Sequence, residues 1–332
     1  MSTAFSFSHA PGPSRRSLLG AAALGLAVPA MAQGTFASRP VKLVVGYPAG
    51  GSVDLAARVT GDALAAHLKA TVVVDNVGGA AGAIAAQRVV SAPADGHTLL
   101  VGASNELVAT RLVNPAQRYD GRRDFTPLGL IATSPLVLVA RPGLGVRSLA
   151  ELLELARRQP DKLSYGSSGV GSTLHFAGEL LKQRAGVSIA HVPYKGVAPL
   201  TSDLAGGTLD LAMLSPTAAL PFLQGGRIVP LAVTSARRLA ALTQVPAVAE
   251  LGALGGYELV GWFALMAPRG LPAATAQRIT AALQQALAEP AVRKRLEDAG
   301  MVPATGHEDL ARLIAEEDRK YEQLAAFGRM RD

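Results

Sequence analysis

Residues 43–58, Leu-Val-Val-Gly-Tyr-Pro-Ala-Gly-Gly-Ser-Val-Asp-Leu-Ala-Ala-Arg, constrain the fold more than any other stretch of the chain. Leu43 to Val45 form a short apolar run of the kind that fills a buried parallel strand. Gly46 to Gly51 break it, and Gly50 and Gly51 allow a close backbone approach. Ser52 is an acceptable N-cap, and Asp54 is an acid in the first helical turn, where the macrodipole favours it. Leu55, Val59, Ala63 and Leu68 then mark one apolar helix face. Free N–H groups at such a helix start suit an anion, although an ordinary strand-to-helix turn has the same spelling. No Lys-Ser/Thr follows the glycines, so this is not a nucleotide P-loop. The spacing is not G-x-G-x-x-G, so the dinucleotide fingerprint is missing as well. What is left is an anion cradle without phosphate-transfer machinery.

With 332 residues, the chain is long enough for two domains. It has no cysteine, which excludes disulfides, thiol catalysis and cysteine metal sites. Its formal charge of +7 is scattered, with no basic run, so nucleic-acid binding is not indicated. The N-terminus is spelled as an export signal. Ser14-Arg15-Arg16-Ser17-Leu18-Leu19 resembles a twin-arginine motif, an apolar run from Leu18 to Val28 follows, and Ala30-Met31-Ala32 is a small-residue cleavage site. The apolar run is too short to span a bilayer. Residues 1–32 are therefore expected to be removed, which leaves a periplasmic chain from Gln33 with a charge of +5, because Arg15 and Arg16 leave and no acid does.

In chain order, strand 41–45, helix 53–69, strand 71–74, a small-residue loop at 75–82 opening a helix to about Val90, and strand 98–102 predict a β-α-β-α-β unit with right-handed crossovers. Ligands bind beyond the carboxyl ends of such strands, where the loops at 47–52, 76–82 and 103–106 lie. Residues 114–127 read as loop. Strand 136–140 precedes a helix ending at Arg158, which Ser148 caps and Glu151 completes as a capping box. Strand 163–165 then leads through Gly166-Ser167-Ser168-Gly169-Val170-Gly171-Ser172-Thr173 into helix 174–185, repeating the strand, glycine loop and helix device in a second unit. Strand 189–192, helix 198–205, and strands 209–214 and 228–233 complete that unit. Strand 261–267 carries the only tryptophan, Trp262. Helices 273–288, 290–299 and 307–325 end the chain and are expected to pack on the first unit. The order predicts two α/β units joined by crossings near 131–140 and 258–267, with a ligand cleft between two glycine loops.

Several of these stretches together resemble the tripartite tricarboxylate transporter substrate-binding family, also called the Bug family of periplasmic receptors. The resemblance rests on Tyr47-Pro48-Ala49-Gly50-Gly51-Ser52-Val53-Asp54, on Val74-Asp75-Asn76 with Gly78-Gly79-Ala80-Ala81-Gly82, and on Ala92-Pro93-Ala94-Asp95-Gly96-His97. It continues with Tyr165-Gly166-Ser167-Ser168-Gly169-Val170-Gly171-Ser172-Thr173, Val192-Pro193-Tyr194-Lys195-Gly196, Leu231-Ala232-Val233-Thr234-Ser235 and Gly261-Trp262-Phe263, and so covers about residues 38–325. It implies two Rossmann-like α/β domains joined by a two-strand hinge, the Venus-flytrap architecture of type II periplasmic binding proteins. The first domain would comprise 38–138 plus 263–332, and the second 139–262. The implied function is capture of a small carboxylate (a di- or tricarboxylate, an acidic amino acid or an aromatic acid) for a membrane transporter. No cofactor or metal is implied. Partners would be the tripartite transporter's membrane subunits or a sensor protein, with the receptor a monomer.

Carried over, the ligand-binding residues are Tyr47, Pro48, Ala49, Gly50, Gly51 and Asp54 in the first loop, and Ser167, Ser168, Gly169, Ser172 and Thr173 in the second. Ser104, Asn105, Lys195 and Ser215, at strand ends and loops on the same side, complete the set. The family more often has Phe where Tyr47 stands and a different pattern at Leu214-Ser215-Pro216, positions that imply the ligand's variable end. From the residues alone, Asp54 is either a helix-start acid or a ligand acceptor. Ser168, Ser172 and Thr173 can cap their helix and bind a carboxylate at once. Lys195 is either a cleft cation or a solvated loop lysine. His175 reads as a loop-orienting residue. The alternative from another class is an exported serine hydrolase. Gly166-Ser167-Ser168-Gly169-Val170 is not G-x-S-x-G, and His175 is the only base close in sequence to Ser168 or Ser172.

Overall fold

The computed structural model describes residues 1–4, 6, 39–328 and 330. The twin-arginine pair, the apolar run and the Ala32 cleavage point of the expected export signal lie outside them. From Val41 the chain forms β1 (Val41–Val45), α1 (Ser52–Leu68), β2 (Val72–Asn76), α2 (Ala83–Val90) and β3 (Thr98–Ala103). A single π turn, Asn105–Ala109, leads into α3 (Thr110–Val113). Then follow β4 (Phe125–Pro135), β5 (Val137–Ala140), α4 (Leu149–Arg158), β6 (Ser164–Ser167), α5 (Thr173–Ala185), β7 (Ala190–Pro193), α6 (Val197–Gly206), β8 (Leu211–Leu214), α7 (Pro216–Gln224) and β9 (Val229–Val233). The chain ends with β10 (Val260–Pro268), α8 (Ala273–Ala288), α9 (Pro290–Asp298), β11 (Val302–Pro303) and α10 (Leu310–Phe327).

The strands make two sheets, as the two-domain α/β reading requires. One has six strands in the order β11-β4-β10-β3-β1-β2, the other five in the order β7-β6-β8-β5-β9. Both are mixed. β1, β2 and β3 are parallel, as their helical crossovers demand, but β10 runs antiparallel to β3 and to β4. In the second sheet β6, β7 and β8 are parallel, and β5 is antiparallel to both of its neighbours. Chain returns from the other unit produce these antiparallel pairs. Every β1 residue but Lys42 is buried, as the apolar spelling predicted.

Only Leu136 separates β4 in the first sheet from β5 in the second, so one extended segment serves both. Thr234, wholly buried, fastens the second crossing to it. Its hydroxyl accepts from the Leu136 N–H at 2.8 Å, its own N–H donates to the Leu136 carbonyl at 2.9 Å, and its carbonyl accepts from Leu259 at 3.1 Å. Trp262 is fully buried on β10, opposite Thr133.

Three local expectations are corrected. β4 begins at Phe125, inside the stretch read as loop, because its buried residues pair with β10 and not with a sequence neighbour. α7 was not legible, since Pro221 interrupts its pattern from within; Pro216 sits in the first turn, where proline is tolerated. Ser148 does cap α4, accepting from the Glu151 N–H at 3.2 Å, but the Glu151 carboxylate reaches Arg147, one residue before the cap. As expected, α8 and α9 pack on α1, and α10 packs on β4 and the π turn after β3; α10 also touches α5. Its Tyr321 ring lies 4.5 Å from the Phe176 ring of α5.

Candidate functional site

Two pairs of loops meet between the sheets: the one after β1 reaches the one after β8 through Ser52 and Thr217, and the one after β3 reaches the one after β6 through Asn105 and Thr173. In the loop after β1, Pro48, Ala49, Gly50 and Gly51 are exposed and Tyr47 is half-buried. Gly50 has φ +88°, a conformation that suits glycine. Asp54, 3% exposed, explains why the loop keeps its shape. One carboxylate oxygen accepts from the Gly50 N–H at 2.9 Å and from Arg58 Nε at 3.0 Å; the other accepts from Asn76 Nδ2 at 2.9 Å. Asn76 Nδ2 also donates to the Tyr47 carbonyl at 3.0 Å. Burial alone would raise the Asp54 pKa, but Arg58, Gly50 and Asn76 hold it below the ordinary carboxylate value. Asp54 thus points into the loop, and both its oxygens are engaged there. Ser52 does not cap α1; Gly51 is the N-cap, and the Ser52 hydroxyl instead meets Thr217 Oγ1 of the second unit.

Behind these loops lies a residue that the sequence reading passed over. Glu106 is fully buried. It accepts from the Tyr47 hydroxyl at 2.7 Å and from the Ala103 N–H at 2.7 Å. Its side chain also backs Gly82, whose added Cβ would come 2.8 Å from Glu106 Cδ. One carboxyl group therefore touches all three loops of the first unit. The available signal was a lone acid followed by Leu107, Val108 and Ala109, an apolar run in which an acid must be buried or cause a break.

In the second unit, Ser167 is buried at the end of β6, and Ser168 and Gly169 are half-buried at the start of the loop. Ser172 is the N-cap of α5: its Oγ accepts from the His175 N–H at 3.2 Å and donates to the Gly169 carbonyl at 2.8 Å. Ser167 Oγ is also committed, to the Gly169 carbonyl at 3.0 Å and to His191 Nε2 at 2.7 Å. Lys195 is exposed on the loop after β7, and Ser215 is half-buried and accepts from Thr217. Thr217 was not among the expected residues; its signal was only its place beside Ser215-Pro216.

Asn105 joins the units. Its Oδ1 accepts from the Thr173 N–H at 2.8 Å and from Thr173 Oγ1 at 2.5 Å, while Ser104 Oγ lies 3.3 Å from Thr173 Oγ1. Thr173 is the first residue of α5, so an amide oxygen from the first unit sits on that helix start, where acceptors are favoured. The floor beneath is tight. A Cβ on Gly261 of β10 would lie 3.4 Å from the Ser134 carbonyl and 3.7 Å from Thr173 Cγ2.

The hydrolase alternative gains no support. His175 Nδ1 accepts from the Gly171 N–H at 3.2 Å, so it orients the loop, and its ring stacks on His191 at 3.7 Å. Ser167, the serine that does meet a histidine, is wholly buried. Among the described residues there is no cluster of three His, Cys, Asp or Glu able to hold a metal.

The stacked histidines yield a pH prediction. Burial, then the neighbouring His191 and Lys182, push His175 down to about 3; burial also pushes His191 down to about 4. Both folded values lie below the unfolded value of about 6.5, so the unfolded chain binds more protons at lower pH. Stability is unaffected above about pH 6.5 and falls between there and about pH 4, by up to ~1.4 kcal/mol per pH unit for each histidine. Glu106, raised by burial to about 7, acts in the opposite direction, so the comparison must be made between variants. Urea midpoints of wild type and His191→Gln, measured across this range, are expected to converge as pH falls. A constant gap between them would refute the assignment.

Comparisons with known proteins agree with this architecture. Residues 56–326 match the model of the tripartite tricarboxylate transporter family receptor. The chain is 39% identical over 290 residues to a protein encoded in the tcbD–tcbE intergenic region of Pseudomonas sp. strain P51, covering 87% of this chain and 86% of that one. The R. palustris protein Rpa4515, solved with adipate, superposes with a TM-score of 0.81 at 37% identity, covering 88% of this chain and 98% of the other. MatC from Rhodopseudomonas palustris, solved with bound malate, gives 0.76 at 31% identity, covering 87% and 99%. No helix among the described residues is long and apolar enough to cross a membrane. The resemblance carried by the motifs is borne out, and the chain belongs to the tripartite tricarboxylate transporter receptor family of periplasmic solute-binding proteins.

Proposed function

We propose that this protein captures one small carboxylate between its two α/β units and presents it to a membrane partner. The observation that carries the reading is the bond from Asn105 of the first unit to the start of α5, the helix that the second unit's glycine loop opens, as the first unit's glycine loop opens α1. Asn105 Oδ1 on the Thr173 N–H indicates that the α5 start accepts an oxygen ligand from across the cleft. A carboxylate oxygen is chemically similar and carries more charge. The adipate and malate bound by two relatives favour the same ligand class. Tyr47 to Gly51 would supply one side of the seat and Ser168, Gly169 and the α5 start the other. Asp54 and Ser172 would act as struts, and Lys195 and Ser215 would lie toward the ligand's far end. The units would correspond to residues 38–138 with 263–332, and to 139–262. Binding would favour the closed arrangement because the ligand touches both halves. The receptor would be exported, cleaved after Ala32 and monomeric, and would serve the membrane subunits of a tripartite transporter or a sensor.

The test is a thermal-shift panel of adipate, malate, citrate, aspartate and nicotinate, each with its amide or ester. An acid present at about 100 times its Kd adds about 2.7 kcal/mol to stability. A shift with an acid that its neutral derivative does not give supports the reading; no shift with any acid overturns it. Gly50→Val should abolish the shift. Open space surrounds the Gly50 Cβ position, so strain at φ +88° would distort the loop, not a clash.

A further inference from the structure

We propose that Glu106 is a proton-linked positioning residue, taking up one proton from solvent when a carboxylate settles on the loop that Tyr47 begins. The inference rests on the carboxylate-receptor reading above. Its basis is geometric. Glu106 is 0% exposed, and among the described residues no lysine, arginine or histidine forms an ion pair with it. The titratable groups facing it are Tyr47, whose hydroxyl donates to its carboxylate, and Tyr119, whose hydroxyl donates to its main-chain carbonyl at 2.8 Å. The remaining neighbours are the Ala103 N–H and Gly82. A buried carboxylate without a counter-ion, directly behind an anion seat, opposes a second negative charge.

The Tyr47 hydroxyl lies 2.7 Å from Glu106 Oε2 and 3.1 Å from the Ala81 carbonyl. With Glu106 ionised, Tyr47 donates to it. With Glu106 protonated at Oε2, the new O–H donates to Tyr47 Oη, and Tyr47 turns its own proton to Ala81. No heavy atom moves, and in both states every O–H proton has an acceptor. In the balanced step, receptor carboxylate, ligand carboxylate and one proton give a complex with a neutral Glu106. Burial already brings this group up to about 7, against the pull of Ala103 and Tyr47, so the proton is available at near-neutral pH.

Three measurements test this on the mature chain, with an acid from the panel that binds. Calorimetry in buffers of different ionisation heat should show proton uptake on binding. The Kd should weaken about fivefold or more from about pH 6 to about pH 8.5, and Glu106→Gln should flatten that profile while both proteins melt cooperatively. A ¹³C-carboxyl NMR titration of the free protein should show a midpoint near neutrality that Glu106→Gln removes. Binding that is flat in pH without proton uptake, or an ordinary carboxylate midpoint in the free protein, overturns the inference alone. Binding by no acid overturns the receptor reading and the inference with it.

Discussion

Gly46→Ala is expected to lower the unfolding free energy by about 3 kcal/mol, the upper part of the range for overpacking, and to abolish carboxylate-induced thermal shifts. Gly46 directly follows β1 and is buried. A Cβ there would come 2.5 Å from Gly82 Cα and 3.1 Å from the Gly82 carbonyl oxygen. Both atoms are backbone, so no rotamer change relieves the contact. Gly82 cannot withdraw, because Glu106 packs behind it and its φ of +92° already demands glycine. The first and second loops therefore cross at two glycines, and separating them dismantles the cradle. Urea denaturation with an unchanged m-value measures the loss. Gly186→Ala is the contrasting control: its backbone is left-handed at φ +61° and open space surrounds it, so strain acts there without overlap, whereas at Gly46 the overlap acts alone. A Gly46→Ala loss no larger than the control's would show that the crossing yields easily.

Asn105→Ala is expected to weaken carboxylate binding about 30-fold while changing the stability of the isolated protein less. The side chain receives two donors from Thr173, at 2.8 and 2.5 Å, and Thr173 is 6% exposed. Truncation leaves the Thr173 N–H unpaired and its hydroxyl with Ser104 alone, at roughly 2 kcal/mol. The bonds run from the π turn after β3 to the start of α5 and so hold the two units together; their loss is expected to fall on the closed state. Apparent affinity scales with the closed population, and about 2 kcal/mol corresponds to roughly 30-fold. Titration calorimetry of wild type and variant with the same acid decides the point. A Kd within twofold of wild type would mean that ligand contacts alone hold the cleft shut.

The reading of single residues divided along a physical line. His175 was placed as a loop-orienting residue from its position after the second glycine loop, and its Nδ1 does receive the Gly171 N–H. Ser172 was read as a cap and caps α5. Both roles act within four residues, so local spelling exposes them. Ser52 was read as a cap and is not one, because Thr217, 165 residues away, meets its hydroxyl. Glu106 has no local signature as a loop support, because its partner Tyr47 stands 59 residues earlier. The added contact of α10 with the second unit, Tyr321 on Phe176, has no sequence signature.

What the amino-acid sequence determined by itself was the set of local devices: apolar runs that must be buried strands, glycines where φ turns positive, hydroxyls before helices, and their order in two units. These follow from backbone sterics and hydrophobic periodicity, which act over a few residues. Tertiary structure alone decided which acid is buried, where Asp54 spends its charge, and which oxygen sits on the α5 start. Those outcomes depend on desolvation and on partners that only the folded chain brings within hydrogen-bonding distance.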